Sequence, residues 1–200
     1  MQTRLRYQGT GEQYVREEGW QEARLDRCPL HPAVRPIRHG AYERKSPAGT
    51  KVARFLCPTG HTISLLPDFL CSRLSGTLDE VEAAAVADGG SRETAATELR
   101  PEIGTAGGLR WLDRRRRYVR ETIDVVRAHA PALIGEAVTL KEWRRVQGGA
   151  GVLAGLRAHE GLLSLLGLPV GLRPALESSQ NTEKAGSPVI PHETGADPPS

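Results

Sequence analysis

Apolar positions change their spacing twice along this chain, and each change predicts a different kind of element. Between Cys28 and Phe69 they come in short runs, 40–45 and 50–57, separated by Ser46-Pro47-Ala48-Gly49. Proline second and glycine fourth suit a type I turn, and Tyr42, Val52, Phe55 and Leu56 supply the flanking runs, so the segment predicts a β-hairpin. Past Leu70 the spacing becomes helical. Thr77-Leu78-Asp79-Glu80 fits a capping box, and Leu78, Val81, Ala84 or Ala85 and Ala87 follow until Gly89-Gly90 ends the helix. Ser91 caps a second short helix over 92–99, closed by Pro101. These predict two short antiparallel helices. The longest periodic stretch covers 106–129, where Leu109, Leu112, Val119, Ile123 and Val126 recur at steps of three and four, widened by Trp111, Tyr118 and Val125, until Pro131.

The ends of the chain are less patterned. Residues 1–26 read as a polar leader anchored by Tyr14, Val15 and Trp20, and are not expected to carry function. Thr139-Leu140-Lys141-Glu142 is another capping box and opens a helix through Val146. After Gly148-Gly149 a leucine-rich face resumes over 151–166, interrupted by Gly155 and Gly161. Residues 175–200 are rich in Ser, Gly, Pro, Thr and acid, and are expected to be disordered. The expected organisation is a leader (1–26), a hairpin unit (27–70), a helical segment (71–130), C-terminal helices (131–174) and a tail. The fold class is α+β, mostly α: a small zinc-ribbon-like β-hairpin followed by a helix-turn-helix-like helical bundle.

Composition narrows this picture. Rings make up 4 % of the chain against 22 Gly and 14 Pro, so its core must be built chiefly from Leu, Val and Ala. Three Cys exclude a disulfide framework, and the first residues hold no apolar stretch of the kind a signal peptide needs, so a cytoplasmic protein is expected. The most apolar window, 161–172, is well short of the roughly 20 residues that span a bilayer. A net charge of +3 conceals two basic blocks, 1–60 with 11 basic and 6 acidic residues and 110–127 with 7 and 3. Such blocks suit a polyanion.

Two groups of residues carry candidate chemistry. Cys28-Pro-Leu-His31 and Cys57-Pro-Thr-Gly-His61 bracket the hairpin, the layout in which zinc supplies folding energy that a small core lacks. Two thiolates and two neutral imidazoles would balance the 2+ charge; His39 is an alternative ligand, and Cys71 fits the core. On the 106–129 helix, Arg110, Arg114, Arg117 and Arg120 gather opposite the apolar arc. They are candidate phosphate contacts, with Arg92 and Arg100 as weaker ones. Arg115 falls inside the apolar arc, where it must snorkel, pair with an acid or meet a partner such as DNA. Aromatic residues are not interleaved with the basic ones, which favours duplex DNA over a single strand. The 99–106 connection is longer than the usual helix-turn-helix turn.

P-loop, GxSxG and HExxH signatures are absent, as is GxGxxG in strand context, and no acidic trio reads as a two-metal site, so a non-enzymatic protein is expected. In the competing reading the chain is a protein-interaction or remnant module. Its arginine helix then pairs with the acids at 79–102, and the leucine-rich 152–166 stretch forms a homodimer.

Three stretches carry a family resemblance: Arg38-His39-Gly40-Ala41-Tyr42-Glu43-Arg44, Ala53-Arg54-Phe55-Leu56-Cys57-Pro58-Thr59, and Thr62-Ile63-Ser64-Leu65-Leu66-Pro67-Asp68-Phe69-Leu70. Over about 20–128 the chain resembles a bacterial domain of unknown function related to transposase N-terminal regions. In that family a zinc-ribbon-like segment ending in T-x-S-L-L-P-x-F-L precedes helix-turn-helix helices and an arginine-rich segment, here 109–117. The resemblance implies DNA binding linked to mobile elements. Related sequences often carry Cys-x2-Cys in both knuckles, whereas here His31 replaces one Cys and Gly60 stands where another would be. A transposase catalytic core of more than 100 further residues has no room here, so a stand-alone or truncated DNA-binding part is implied.

Overall fold

The computed structural model of the chain describes residues 1–172 except 8, 88, 89 and 150. The tail expected to be disordered lies outside the described residues, as does Gly89. The elements run β1 (Gln2–Leu5), α1 (Gly11–Arg16), α2 (Gly19–Glu22), β2 (Ile37–Glu43), β3 (Lys51–Leu56), β4 (Thr62–Pro67), α3 (Leu78–Val86), α4 (Arg92–Leu99), α5 (Thr105–His129), α6 (Pro131–Ile134), α7 (Leu140–Val146), α8 (Val152–Gly155), a 3-10 turn at Leu156–Ala158 and α9 (Glu160–Leu163). The α+β class is as expected. No helix among the described residues is long and apolar enough to cross a membrane.

The expected hairpin is part of a larger sheet, ordered β1-β4-β3-β2. β2 pairs antiparallel with β3 and β3 with β4, while β1 pairs in parallel with β4, Gln2 opposite Ser64. The turn is also different. The Ser46–Pro47 peptide is cis, and the loop closes through Thr50 N–H donating to Pro47 C=O and Arg44 N–H donating to Thr50 C=O. Residues 1–26 are therefore no mere leader: they give the sheet a strand and much of its core. Tyr14 and Trp20 are buried with Phe55, Ile63 and Leu65, and Tyr14 donates its hydroxyl proton to Lys51 C=O at 3.1 Å. Tyr7, Tyr14, Trp20 and Phe69 meet edge to face, so nearly half of the scarce rings stabilise this one cluster.

The helices begin where their caps predict. Thr77 and Ser91 accept from Glu80 N–H and Thr94 N–H. At Thr139 both halves of the capping box form, Glu142 accepting from Thr139 N–H. α5 joins two cores. Its Leu112 packs with Ala84, Ala95 and Ala96 of α3 and α4, where a Cβ on Gly108 would come within 3.3 Å of the Ala96 backbone. Further along, Val119, Ile123 and Val126 enter a larger cluster with Leu78, Val81, Ile134 and Trp143. The predicted leucine-rich helix is broken into α8, the 3-10 turn and α9. Leu153, Leu156, Leu162 and Leu166 join that same cluster.

Charged side chains fasten the layers. Arg157 is fully buried and donates to the carbonyls of Pro67, Pro169 and Val170, tying β4 to the last described turn. Glu82, buried in α3, accepts from Gly151 and Leu153 N–H, and burial raises its pKa against those bonds and the nearby Arg144.

Candidate metal centre and arginine face

The two knuckles are local backbone constructions. In the first, Val34 N–H donates to His31 C=O and Cys28 N–H to Val34 C=O, folding His31 back towards Cys28. In the second, Gly60 N–H donates to Cys57 C=O and Cys57 N–H to His61 C=O. Gly60 has φ +96°, a value that strains any side chain, and this turn returns the chain so that His61, one place late for a two-residue spacer, still faces Cys57. The strands then bring the knuckles together.

Donor atoms of Cys28, His31, Cys57 and His61 all lie within 4.8 Å of one another, close enough to bind one metal ion. Cys28 Sγ is 3.2 Å from His61 Nε2 and 3.7 Å from His31 Nδ1, and Cys57 Sγ is 3.9 Å from His31 Nδ1. A tetrahedral ion with bonds of about 2.0–2.3 Å spaces its donors by about 3.3–3.8 Å, so the group needs little adjustment. Both sulfurs belong to residues buried beside Tyr14, Trp20 and Phe55, while the two imidazoles are partly exposed. His39, exposed on β2, stands outside the group, and Cys71 is buried in the helical core as expected.

Thr59, which sequence reasoning passed over although it sits inside the second knuckle, organises these donors. Its Oγ1 lies 3.1 Å from His61 Nδ1 and donates to Cys57 Sγ at 3.0 Å. Were His61 Nε2 to bind a metal, Nδ1–H would donate to Thr59, whose own proton goes to the sulfur, so a single hydroxyl would set one tautomer and steady one thiolate. Burial opposes ionisation of Cys57, but hydrogen bonds from the Thr59 hydroxyl and backbone, with Cys28 and His31, prevail and lower its pKa to about 7. Replacing Thr59 by Val is expected to weaken metal binding roughly 10- to 100-fold, read by competition with a chromophoric chelator. Unchanged affinity would remove Thr59 from the site.

The α5 arginines divide. Arg110, Arg114, Arg117 and Arg120 are exposed. Arg117 lies 3.5 Å from Glu121, and among the described residues Arg110, Arg114 and Arg120 have no ion pair or hydrogen bond. Arg115 is a correction. It is only 5 % exposed, its guanidinium lies 4.0 Å over the Trp111 ring, and it donates to the carbonyls of Trp111 and Ser75. Its place in the apolar arc is resolved by a cation–π contact inside the chain, and burial lowers its pKa, so it does not share the open face. Burial raises the Cys71 thiol to about 12 against the opposing charges of Arg115 and Arg157.

Arg92 and Arg100 are partly engaged, Arg92 by Asp113 and Arg100 by Glu102 and the Trp111 ring. Arg116 donates to Ala84 and Ala87 C=O, closing the end of α3. Such carbonyl contacts leave no local sequence signal. No family model, no curated protein and no solved structure matches this chain.

Proposed function

We propose that this chain is a non-enzymatic DNA-binding protein, in which zinc held by Cys28, His31, Cys57 and His61 braces the sheet and α5 presents its arginine face to duplex phosphates. The observation that carries the reading is that face. Arg110, Arg114 and Arg117 follow one another at helical steps of four and three and are exposed, with Arg120 beside them, and no acid from α3 or α4 pairs with any of the four among the described residues. Like charges three or four apart each destabilise a helix by about 0.2–0.5 kcal/mol, a cost that an arriving polyanion reverses.

The pairing of Arg92 with Asp113 holds α4 against α5, which supports a helix-turn-helix-like role for these two elements. Zinc is favoured by the donor set: two thiolates and two imidazoles fill all four positions, which describes a closed structural site and not a catalytic one. The resemblance to transposase N-terminal regions adds an association with mobile elements.

The test is duplex binding followed against salt. Affinity is expected to fall steeply with salt, and Arg114→Ala with Arg117→Ala to weaken it across sequences and flatten the log–log slope by about two. Duplex binding that is absent, or that survives the double substitution unchanged, sinks the proposal and leaves the protein-interaction reading.

A further inference from the structure

We propose that the groove between α3, α5 and residues 138–140 binds a small amphipathic anion, a carboxylate carrying an apolar body, and that this ligand competes with duplex DNA for Arg120. The second half rests on the DNA-binding reading above; the first does not. The groove is open to solvent on one side and offers about 640 Å³, within the size range of small-ligand sites, and its apolar lining comes from Ala85, Val119, Ile123 and Leu140. Val138 stands on its rim, 64 % exposed, one of few large apolar side chains so open to water.

Charge on the groove selects the ligand's sign. Arg116 and Arg120, one helical turn apart, both line it, and neither has an ion pair among the described residues. Asp113 also lines the groove, but Arg92 takes both of its oxygens. Arg116 commits Nε and one terminal nitrogen to the carbonyls of Ala84 and Ala87, and Arg120 has no hydrogen bond among the described residues. Two neighbouring cations, beside an Asp113 already held by Arg92, leave a local positive potential, and a carboxylate placed across them would relieve their repulsion. The apolar floor beside them would cover a short alkyl or aryl body that water hydrates poorly. A ligand with both parts is complementary to the groove; neither acetate nor an alcohol is. Arg120 also belongs to the exposed arginine set of α5, so one guanidinium cannot fully serve the carboxylate and a phosphate at once.

The full-length protein would be titrated calorimetrically with octanoate, without DNA. Saturable binding with Kd below about 1 mM is expected, at least tenfold tighter than octanol or acetate. Arg120→Gln should weaken it about tenfold. Val138→Asp, an exposed change that should leave folding intact, should abolish it. Arg114→Ala should leave octanoate binding unaltered while weakening the duplex. Octanoate that fails to saturate, octanol that binds equally well, or equal binding to the Arg120→Gln and Val138→Asp variants overturns the site. If octanoate binds but saturating octanoate leaves duplex affinity unchanged, the competition is overturned. If no duplex binds at all, the DNA reading fails while the octanoate titration still decides the groove.

Discussion

Cys57→Ser is expected to release the metal and unfold the sheet half of the molecule, visible as loss of stoichiometric metal and of the upper part of the thermal transition. The size of the effect follows from where the sulfur sits. Cys28 and Cys57 are fully buried in the cluster of Tyr14, Trp20, Phe55 and Ile63. Structural zinc contributes roughly 10–16 kcal/mol of apparent binding energy at neutral pH in small zinc-folded peptides, far above the ~1 kcal/mol of a typical hydrogen bond that a serine could offer. A chelator applied to the unaltered protein should reproduce the change. Stoichiometric metal in a protein lacking both Cys28 and Cys57 would refute the assignment.

Acidity should act in the same direction. The Cys57 pKa is depressed from 9.0 to about 7 without metal, so its ionised form favours the folded state fully above pH 9, and that contribution is lost as pH falls through about 7. Because cysteine donors bind a metal only when deprotonated, metal binding is expected to weaken over the same range, followed as metal release on acidification.

The second large effect lies at Arg157. Arg157→Met, which keeps much of the volume, is expected to lower stability by about 3 kcal/mol, measured by urea denaturation at neutral pH, because three buried carbonyls lose a charged donor together. Arg157→Lys should not restore it, since an ammonium lacks the planar fork that reaches Pro67, Pro169 and Val170 at once. Burial lowers the guanidinium to about 10, so it stays protonated at neutral pH. The unfolded chain holds this proton more tightly, so the same linkage makes stability rise with pH only above about 10. A loss below about 0.5 kcal/mol in Arg157→Met would show that water reaches those carbonyls.

What the sequence made legible was short-range. The caps at Thr77, Ser91 and Thr139, the stripe of α5, and the Cys and His pairs lie within a few residues of the groups they serve, and each appears in the structure where its spacing puts it. β1 was illegible because a polar four-residue strand signals nothing until Ser64 to Pro67 lie beside it. β4 does not show itself as a strand in the sequence, because consecutive Leu65 and Leu66 are both buried and break the alternation that marks strands. Arg116 and Arg157 look like their exposed neighbours, since a guanidinium that serves a distant carbonyl carries no mark in its own segment; Arg115 is marked by its place in the apolar arc, but the carbonyl it reaches is not.

The parallel pairing of β1 with β4 has a bearing on how tightly the ion is held. β1 is fixed to β4 by its ladder and by the fork of Arg4 on Asp68, which gathers everything from residue 6 to residue 61 into one closed loop. A metal bound by the four donors would close a smaller loop inside it, joining His31 to Cys57. Each closure removes chain entropy that the other would otherwise have to overcome, so the two are cooperative even though β1 contributes no ligand. Affinity for a metal at this site would then be in part a property of residues 1–5.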